Sequence, residues 1–213
     1  MLDRRTFLLA GAAALLTSDD AFAFFGSNRK KRNSQRRAAA RRKPKRAPFK
    51  LNPKYEPQRV TYNDGTYPAG SVVIDPEARF LYFIEDEKYA TRYGVGVGRA
   101  GMSIRGTAYV ARKAKWPSWT PTPSMIRREP RYARYAGGMP GGVHNPLGAR
   151  ALYLYRGQND TMFRIHGTNQ PSSIGQAMSS GCIRMLNAHV EQLYEKVDVG
   201  ALVVILKPGA EPV

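Results

Sequence analysis

Cys182 is the single cysteine among 213 residues, set in "SSGCIR" sixteen residues beyond His166. A lone cysteine has no intrachain disulfide partner, so it is a small buried hydrophobe, half of an intermolecular bridge, or a reactive thiol. Its neighbours bear on the choice. Ser179, Ser180 and Gly181 precede it, and Ile183 and Arg184 follow. A glycine before a nucleophile permits the tight turn that points successive N–H groups into one concavity, as an oxyanion hole requires. Arg184 places a cation nearby, which would favour the thiolate over the usual thiol pKa of about 8.5. His166 closes the run "TMFRIHG". From a strand end its ring would reach into a groove and accept the thiol proton; the alternative is a core histidine satisfied by backbone. His144 and His189 are the other histidines, which could in principle join His166 and Cys182 as zinc ligands, but neither CxxC nor HxxxH spacing is present, so metal binding is not expected.

Strands must position these groups. "SVVIDPEARFLYFIEDEKYATRYGVGVG" alternates β-branched and aromatic residues with polar ones, broken at Asp75-Pro76 and Glu85-Asp86-Glu87, and predicts a β-meander. "TAYVARKAKW", "ALYLYRG" and "TMFRIHG" predict further strands, and "ALVVIL" a buried last one. Helix is expected at "PSSIGQAM" and "NAHVEQLYEKV", the second with Asn187 as N-cap and Val190, Leu193, Tyr194 and Val197 on one face. Between Trp116 and Gly148 lies a long unpatterned stretch rich in Pro, Gly and aromatics, including both tryptophans. Such a loop is expected to be ordered and functional.

The amino terminus bears on the compartment. "MLDRRTFLLAGAAALL" followed by "AFA" reads as an export signal over residues 1–23. Its apolar run is far short of the roughly 20 residues that span a bilayer. Arg4-Arg5 followed by Thr6, Phe7 and Leu8 resembles a twin-arginine signal, the alternative being an ordinary secretory n-region. From Phe24 to Lys50 there are 12 Lys or Arg and no acid, within a formal charge of +18 for the whole chain. Residues 24–70 are therefore expected to be a disordered basic, Pro-rich linker. An exported basic tail meets anionic envelope polymers and lipid head groups before any nucleic acid, so no specific nucleic-acid partner is expected; a solvated linker without a partner is the alternative. Residues 71–206 are expected to form one catalytic domain, followed by a tail over 207–213.

"IHGTNQPSSIGQAMSSGCIRMLNAHVEQLY" resembles the signature of the L,D-transpeptidase catalytic domain family, the YkuD-like cysteine enzymes of the ErfK, YbiS, YcfS and YnhG type. The family pattern is met by His166, Gly167, Thr168, Gly175, Ser179, Gly181, Cys182, Arg184, Asn187, Leu193 and Tyr194. His189 departs from it, standing where the family usually has an acid, at a possible cost in local stability near the helix start. The resemblance implies a mostly β, sandwich-like fold with short helices and an active-site groove under a long loop. It implies acyl transfer on peptidoglycan stem peptides without cofactor or metal, in the periplasm or cell envelope. Cys182 would be the nucleophile and His166 the base, oriented by a backbone carbonyl such as that of Gly167. The N–H groups around Ser180, Gly181 and Cys182 would hold the oxyanion, with Ser179, Gly167 and Arg184 in support. Carbapenem β-lactams are the inhibitors it implies. Alternatives on the same residues are a carboxypeptidase or endopeptidase trimming stems, attachment of an outer-membrane protein to the wall, or a non-enzymatic wall-binding module.

Overall fold

Where Val, Ile, Tyr and Phe alternate with small or polar residues the chain is extended, and among the described residues eleven strands carry most of the fold. The computed structural model describes residues 49–62, 66–99, 105–179, 181–207 and 209. The strands are β1 (Gln58–Thr61), β2 (Val72–Asp75), β3 (Phe80–Ile84), β4 (Tyr89–Gly94), β5 (Val97–Gly98), β6 (Gly106–Lys115), β7 (Arg150–Arg156), β8 (Asn159–His166), β9 (Ala177–Ser179), β10 (Ile183–Arg184) and β11 (Leu202–Ile205). Two short helices accompany them, α1 (Pro123–Arg128) and α2 (Asn187–Lys196).

Nine strands form one sheet in the order β1-β4-β3-β2-β11-β6-β7-β8-β10, and β5 pairs with β9 in a second. The pairing is antiparallel except for β11 on β2, β10 on β8 and β5 on β9. Just beyond β4, Gly96 exchanges backbone hydrogen bonds with Arg184 of β10, at 2.8 and 2.7 Å. The β10 end of the sheet is thus bridged to the segment that follows β4, and one core fills the space between them. That core takes Val72, Ile74, Leu81, Tyr93, Val110, Leu152, Leu154, Ile165, Ile183 and Ile205 from the strands and Val190, Leu193 and Val197 from the last helix and its end. The other face of β2 and β3 is covered as well, by a cluster around Tyr62, Val73, Tyr82 and Ile84, so both strands are almost wholly buried rather than alternating. The expected mostly β architecture with short helices is what the chain adopts.

Three expectations are corrected. The segment assigned to the linker is structured from about Leu51: a 3-10 turn at Pro53–Tyr55, capped by the Asn52 side chain, leads into β1, which pairs with β4. Leu51 and Tyr55 pack there with Ile174, and no strand pattern marks them because they act as single apolar plugs. The expected helix at "PSSIGQAM" is a 3-10 turn, Pro171–Ser173, followed by β9. Gly175 stops it. Its φ of +80° lies in the left-handed region, and an added Cβ there would collide with the Tyr55 ring. Asn187, expected as the N-cap, is instead the first residue of α2. Its side-chain oxygen accepts the N–H groups of Ala149 and Thr168, both at 3.1 Å, and is thereby committed to the loops beside His166. The proposed signal segment and most of the basic tail, residues 1–48, lie outside the described residues.

Candidate active site

His166 is the last residue of β8, and Arg184 of β10 lies beside it in parallel register. Ile183 points into the core at 2% exposure. Side chains alternate along an extended chain, so Cys182 and Arg184, on either side of Ile183, face the other way. That direction is a cleft of about 260 Å³ lined by His166, Ser179, Cys182, Arg184 and residues of the long loop.

The loop is ordered, as its aromatics suggested. Thr122 caps α1 by accepting the Met125 N–H at 3.2 Å, a 3-10 turn follows at Pro130–Tyr135, and Trp119 meets the Tyr132 ring edge-on at 5.2 Å between centroids. Trp119, Met125, Arg128, Glu129 and Tyr132 of the loop line the cleft, as do Arg99 and Met178. Asn145 fastens the returning end. Fully buried, it donates to the carbonyls of Pro117, Met139 and Pro140 and accepts the Leu147 N–H. Neither Asn145 nor Asn187 was picked out for this work, because a side chain tying loops together has no sequence period. Arg99 likewise carries no local signal.

The turn into Cys182 is built around Ser179. Its hydroxyl accepts the Gly181 N–H at 3.1 Å and donates to the Cys182 carbonyl at 2.6 Å. Gly181 takes a φ of +128°, a conformation L side chains avoid, which accounts for glycine at this position. The Gly181 N–H is therefore engaged within the turn rather than turned to the cleft. Ser180 lies outside the described residues.

The imidazole is buried, at 4% exposure, and its Nδ1 lies 2.5 Å from the Gly167 carbonyl. A carbonyl only accepts, so Nδ1 carries the proton and Nε2 keeps its lone pair. Burial, with the Arg184 guanidinium as the next cause, lowers the His166 pKa to about 3; the Gly167 and Leu147 carbonyls pull the other way. The Cys182 thiol is partly exposed and reaches towards the Met162 carbonyl at 3.9 Å. Burial raises its pKa, outweighing a backbone hydrogen bond at Arg164 and the charges of Arg164 and Arg184. The expectation that Arg184 would hold the group as thiolate is thus corrected: desolvation wins, and the free site rests as a neutral thiol and a neutral imidazole.

His189, the departure from the family pattern, is buried on α2, with Nε2 3.3 Å from the Glu56 carboxylate and its ring 6.2 Å from that of Tyr93. The acid absent from its own position is met in space by Glu56 of the amino-terminal segment. Among the described residues no cluster of three or more His, Cys, Asp or Glu is arranged to hold a metal ion.

A β-sheet that carries a thiol and a singly protonated imidazole in one loop-covered cleft brings together a nucleophilic group type and a proton acceptor. Residues 69–205 match the YkuD family, the L,D-transpeptidase catalytic domain, and the chain belongs to that family. It is 36% identical over 156 residues to the probable L,D-transpeptidase ErfK/SrfK of Escherichia coli K12, covering 70% of this chain and 47% of that protein. The putative L,D-transpeptidase YqjB of Bacillus subtilis 168 is 32% identical over 136 residues, covering 63% of this chain and 69% of that one. The chain spans about half the length of the Escherichia coli relatives it matches. A Brucella melitensis crystal structure, described as a probable carnitine operon oxidoreductase, is similar at 48% identity and a TM-score of 0.51, covering 73% of this chain and 96% of that one.

Proposed function

We propose that this chain is an exported peptidoglycan L,D-transpeptidase in which Cys182 is the nucleophile and His166 the general base. The observation that carries the reading is the His166 tautomer: Nδ1–H is held by the Gly167 carbonyl, and the free Nε2 belongs to a ring lining the same cleft as the thiol. As the sulfur attacks the carbonyl between the third and fourth residues of a stem tetrapeptide, Nε2 takes the thiol proton. The tetrahedral intermediate collapses with cleavage of the C–N bond. Nε2 returns the proton to the departing amine, and D-alanine leaves a thioester on Cys182. An acceptor amine then attacks the thioester, giving its proton to Nε2 and regenerating the thiol. A neutral resting pair suits this sequence, because charge appears only when substrate has displaced water from the cleft. With the Gly181 N–H occupied by Ser179, the Cys182 N–H is the described donor that remains for the oxyanion.

The glycine spacing Gly96-x-Gly98-x-x-Gly101 resembles a dinucleotide fingerprint, which would suit the oxidoreductase description of the Brucella protein. That fingerprint requires a strand, a turn and then a helix N-terminus. Here Gly96 is bonded to Arg184, Gly98 lies in β5 and the next described element is the strand β6, so the described residues give the spacing no strand-turn-helix setting.

Purified tetrapeptide muropeptides, with products followed by mass, test the proposal. Cross-linked dimer with loss of D-alanine is the expected product, tripeptide alone would make the enzyme a carboxypeptidase, and unchanged substrate would remove the assignment. Turnover should vanish in Cys182→Ala and fall by about 10² or more in His166→Ala. The reading also places the protein in the cell envelope, with the basic tail held to anionic polymers or lipid head groups. Deleting residues 24–48 should then weaken binding to isolated sacculi at low salt while leaving turnover of soluble stems unchanged.

A further inference from the structure

Arg184 is a half-buried cation, and no described carboxylate lies within ion-pair distance of it. Its guanidinium reaches the Gln170 side-chain oxygen at a long 3.4 Å. Glu129, the one acid among the described residues lining the cleft, is hydrogen-bonded to Arg131 at 2.9 and 2.5 Å and acts on Arg184 only through its field, the weakest of the causes that bear on that group. Arg99 brings a further positive charge to the same walls. Drawing a guanidinium partly out of water without a partner costs stability, and burial does lower the pKa of Arg184. A cleft that keeps such a group is shaped to receive an anion.

We propose that Arg184 is a specificity-determining residue that binds the free carboxylate of the acyl donor's departing residue. The substrate class is then a peptide whose terminal D-amino acid is unblocked; this rests on the acyl-transfer reading above. Register selects the departing residue. Arg184 sits beside His166 across β10 and β8, and His166 is the group that protonates the departing amine. That amine and its carboxylate share one α-carbon, so a residue delivered to Nε2 brings its carboxylate to the neighbouring guanidinium. Spacing agrees. Cys182 and Arg184 are about two strand rises apart, roughly 6.6 Å, while scissile carbonyl and terminal carboxylate are separated by one residue, roughly 3.8 Å, within reach of the long arginine arm. A planar fork suits a carboxylate bidentately, which a lysine ammonium would not reproduce. The pairing has a second effect. The Arg184 charge is one cause of the low basicity of His166, and a bound carboxylate cancels part of that field, so the correct donor raises the proton affinity of the base it needs.

The test follows thioester formation on Cys182 by intact mass, in the full chain, with three tetrapeptide donors. One is unblocked, one carries a terminal carboxamide, and one has the side-chain carboxylate of its third-position diamino acid amidated instead. Wild type should acylate about tenfold or more slowly with the terminal amide, and near the unblocked rate with the third-residue amide. Arg184→Gln should bring the unblocked donor down to the rate of the terminal amide, and Arg184→Lys should keep part of the difference. Equal wild-type rates for unblocked and terminally amidated donors overturn the carboxylate subsite and leave acyl transfer standing. Discrimination confined to the third-residue amide also overturns it, assigning the anion to the retained part of the stem. Acylation by none of the three donors removes the acyl-transfer reading as well. The wild-type comparison decides the matter even if Arg184→Gln folds poorly.

Discussion

Ser179 Oγ donates to the Cys182 carbonyl at 2.6 Å while accepting the Gly181 N–H at 3.1 Å, so one hydroxyl closes the turn that presents the thiol. Ser179 is 3% exposed, and its removal leaves a buried donor and a buried acceptor without partners. Ser179→Ala should therefore cost about 1–3 kcal/mol of stability and lower transpeptidation by an order of magnitude or more. Thermal denaturation alongside a muropeptide assay checks both. Unchanged turnover at unchanged stability would show that the turn holds its shape without the hydroxyl.

Burial raises the Cys182 pKa and lowers that of His166 to about 3, which fixes the protonation of the free enzyme at neutral pH. Alkylation of Cys182 by iodoacetamide should be slow at pH 7 and keep rising beyond the ordinary thiol range, without a plateau near neutrality. A rate already maximal at pH 7 would mean a resting thiolate–imidazolium pair and contradict the neutral one.

What could be read from the sequence divides along physical lines. The strands of the meander, β8 with His166 at its end, and the Cys182 turn were legible because two-residue alternation and a glycine at a sharp bend are local properties. The last helix was legible by its apolar spacing, but its cap was not, since Asn187 could not be seen to spend its oxygen on Ala149 and Thr168. The start of the structured region was missed for the same reason. Leu51, Tyr55 and Glu56 matter through partners distant in sequence, among them Ile174 and His189 more than a hundred residues later. At the site, residue types were legible and their charge states were not, because desolvation depends on the whole fold.

The amino-terminal segment should matter to stability. Tyr55 is 7% exposed, packs with Leu51 and Ile174, and its ring lies 5.7 Å from that of Phe80. Tyr55→Ala should destabilise the protein by about 3 kcal/mol, as large-to-small changes in cores do. A truncation starting at Ser71, which also removes β1 and Glu56, should lose more. Equal chemical-denaturation midpoints for the full chain and the truncation would return these residues to the role of linker.

Acid should loosen the fold before its carboxylates titrate. His166 and His189 both have lowered pKa values, so each is held neutral in the fold while the unfolded chain takes up protons near pH 6.5. Their contribution is complete above about pH 6.5 and is lost as pH falls towards the folded values. Glu85 and Asp160, held below the ordinary carboxylate range, add losses only at lower pH. Between pH 6.5 and 4.5 the decline should reach about 2 kcal/mol for His166 and less for His189, where the Glu56 carboxylate opposes the shift. Urea unfolding across that interval, repeated on His166→Gln, should show a shallower slope in the variant. Identical slopes would assign the acid sensitivity elsewhere.

The last prediction joins the thiol to the cation beside it. A β-lactam is a strained acyl donor, and attack by Cys182 opens the ring to a thioester while the ring nitrogen takes the proton that His166 receives from sulfur. The family resemblance implies that carbapenems suit this groove. Carbapenems carry a carboxylate on the carbon next to that nitrogen, in the place where a stem peptide presents the carboxylate of its departing residue. If Arg184 binds the departing residue's carboxylate as proposed, it should assist acylation by the drug too, and Arg184→Gln should slow adduct formation by about tenfold. Intact-protein mass after mixing should show one added drug mass on wild type and none on Cys182→Ala. Slow loss of the adduct would mean that water reaches the thioester poorly, the condition a transferase needs if an amine is to compete with hydrolysis. An adduct that survives Cys182→Ala would remove the nucleophile assignment, and one that forms at the same rate in Arg184→Gln would separate drug binding from the carboxylate subsite.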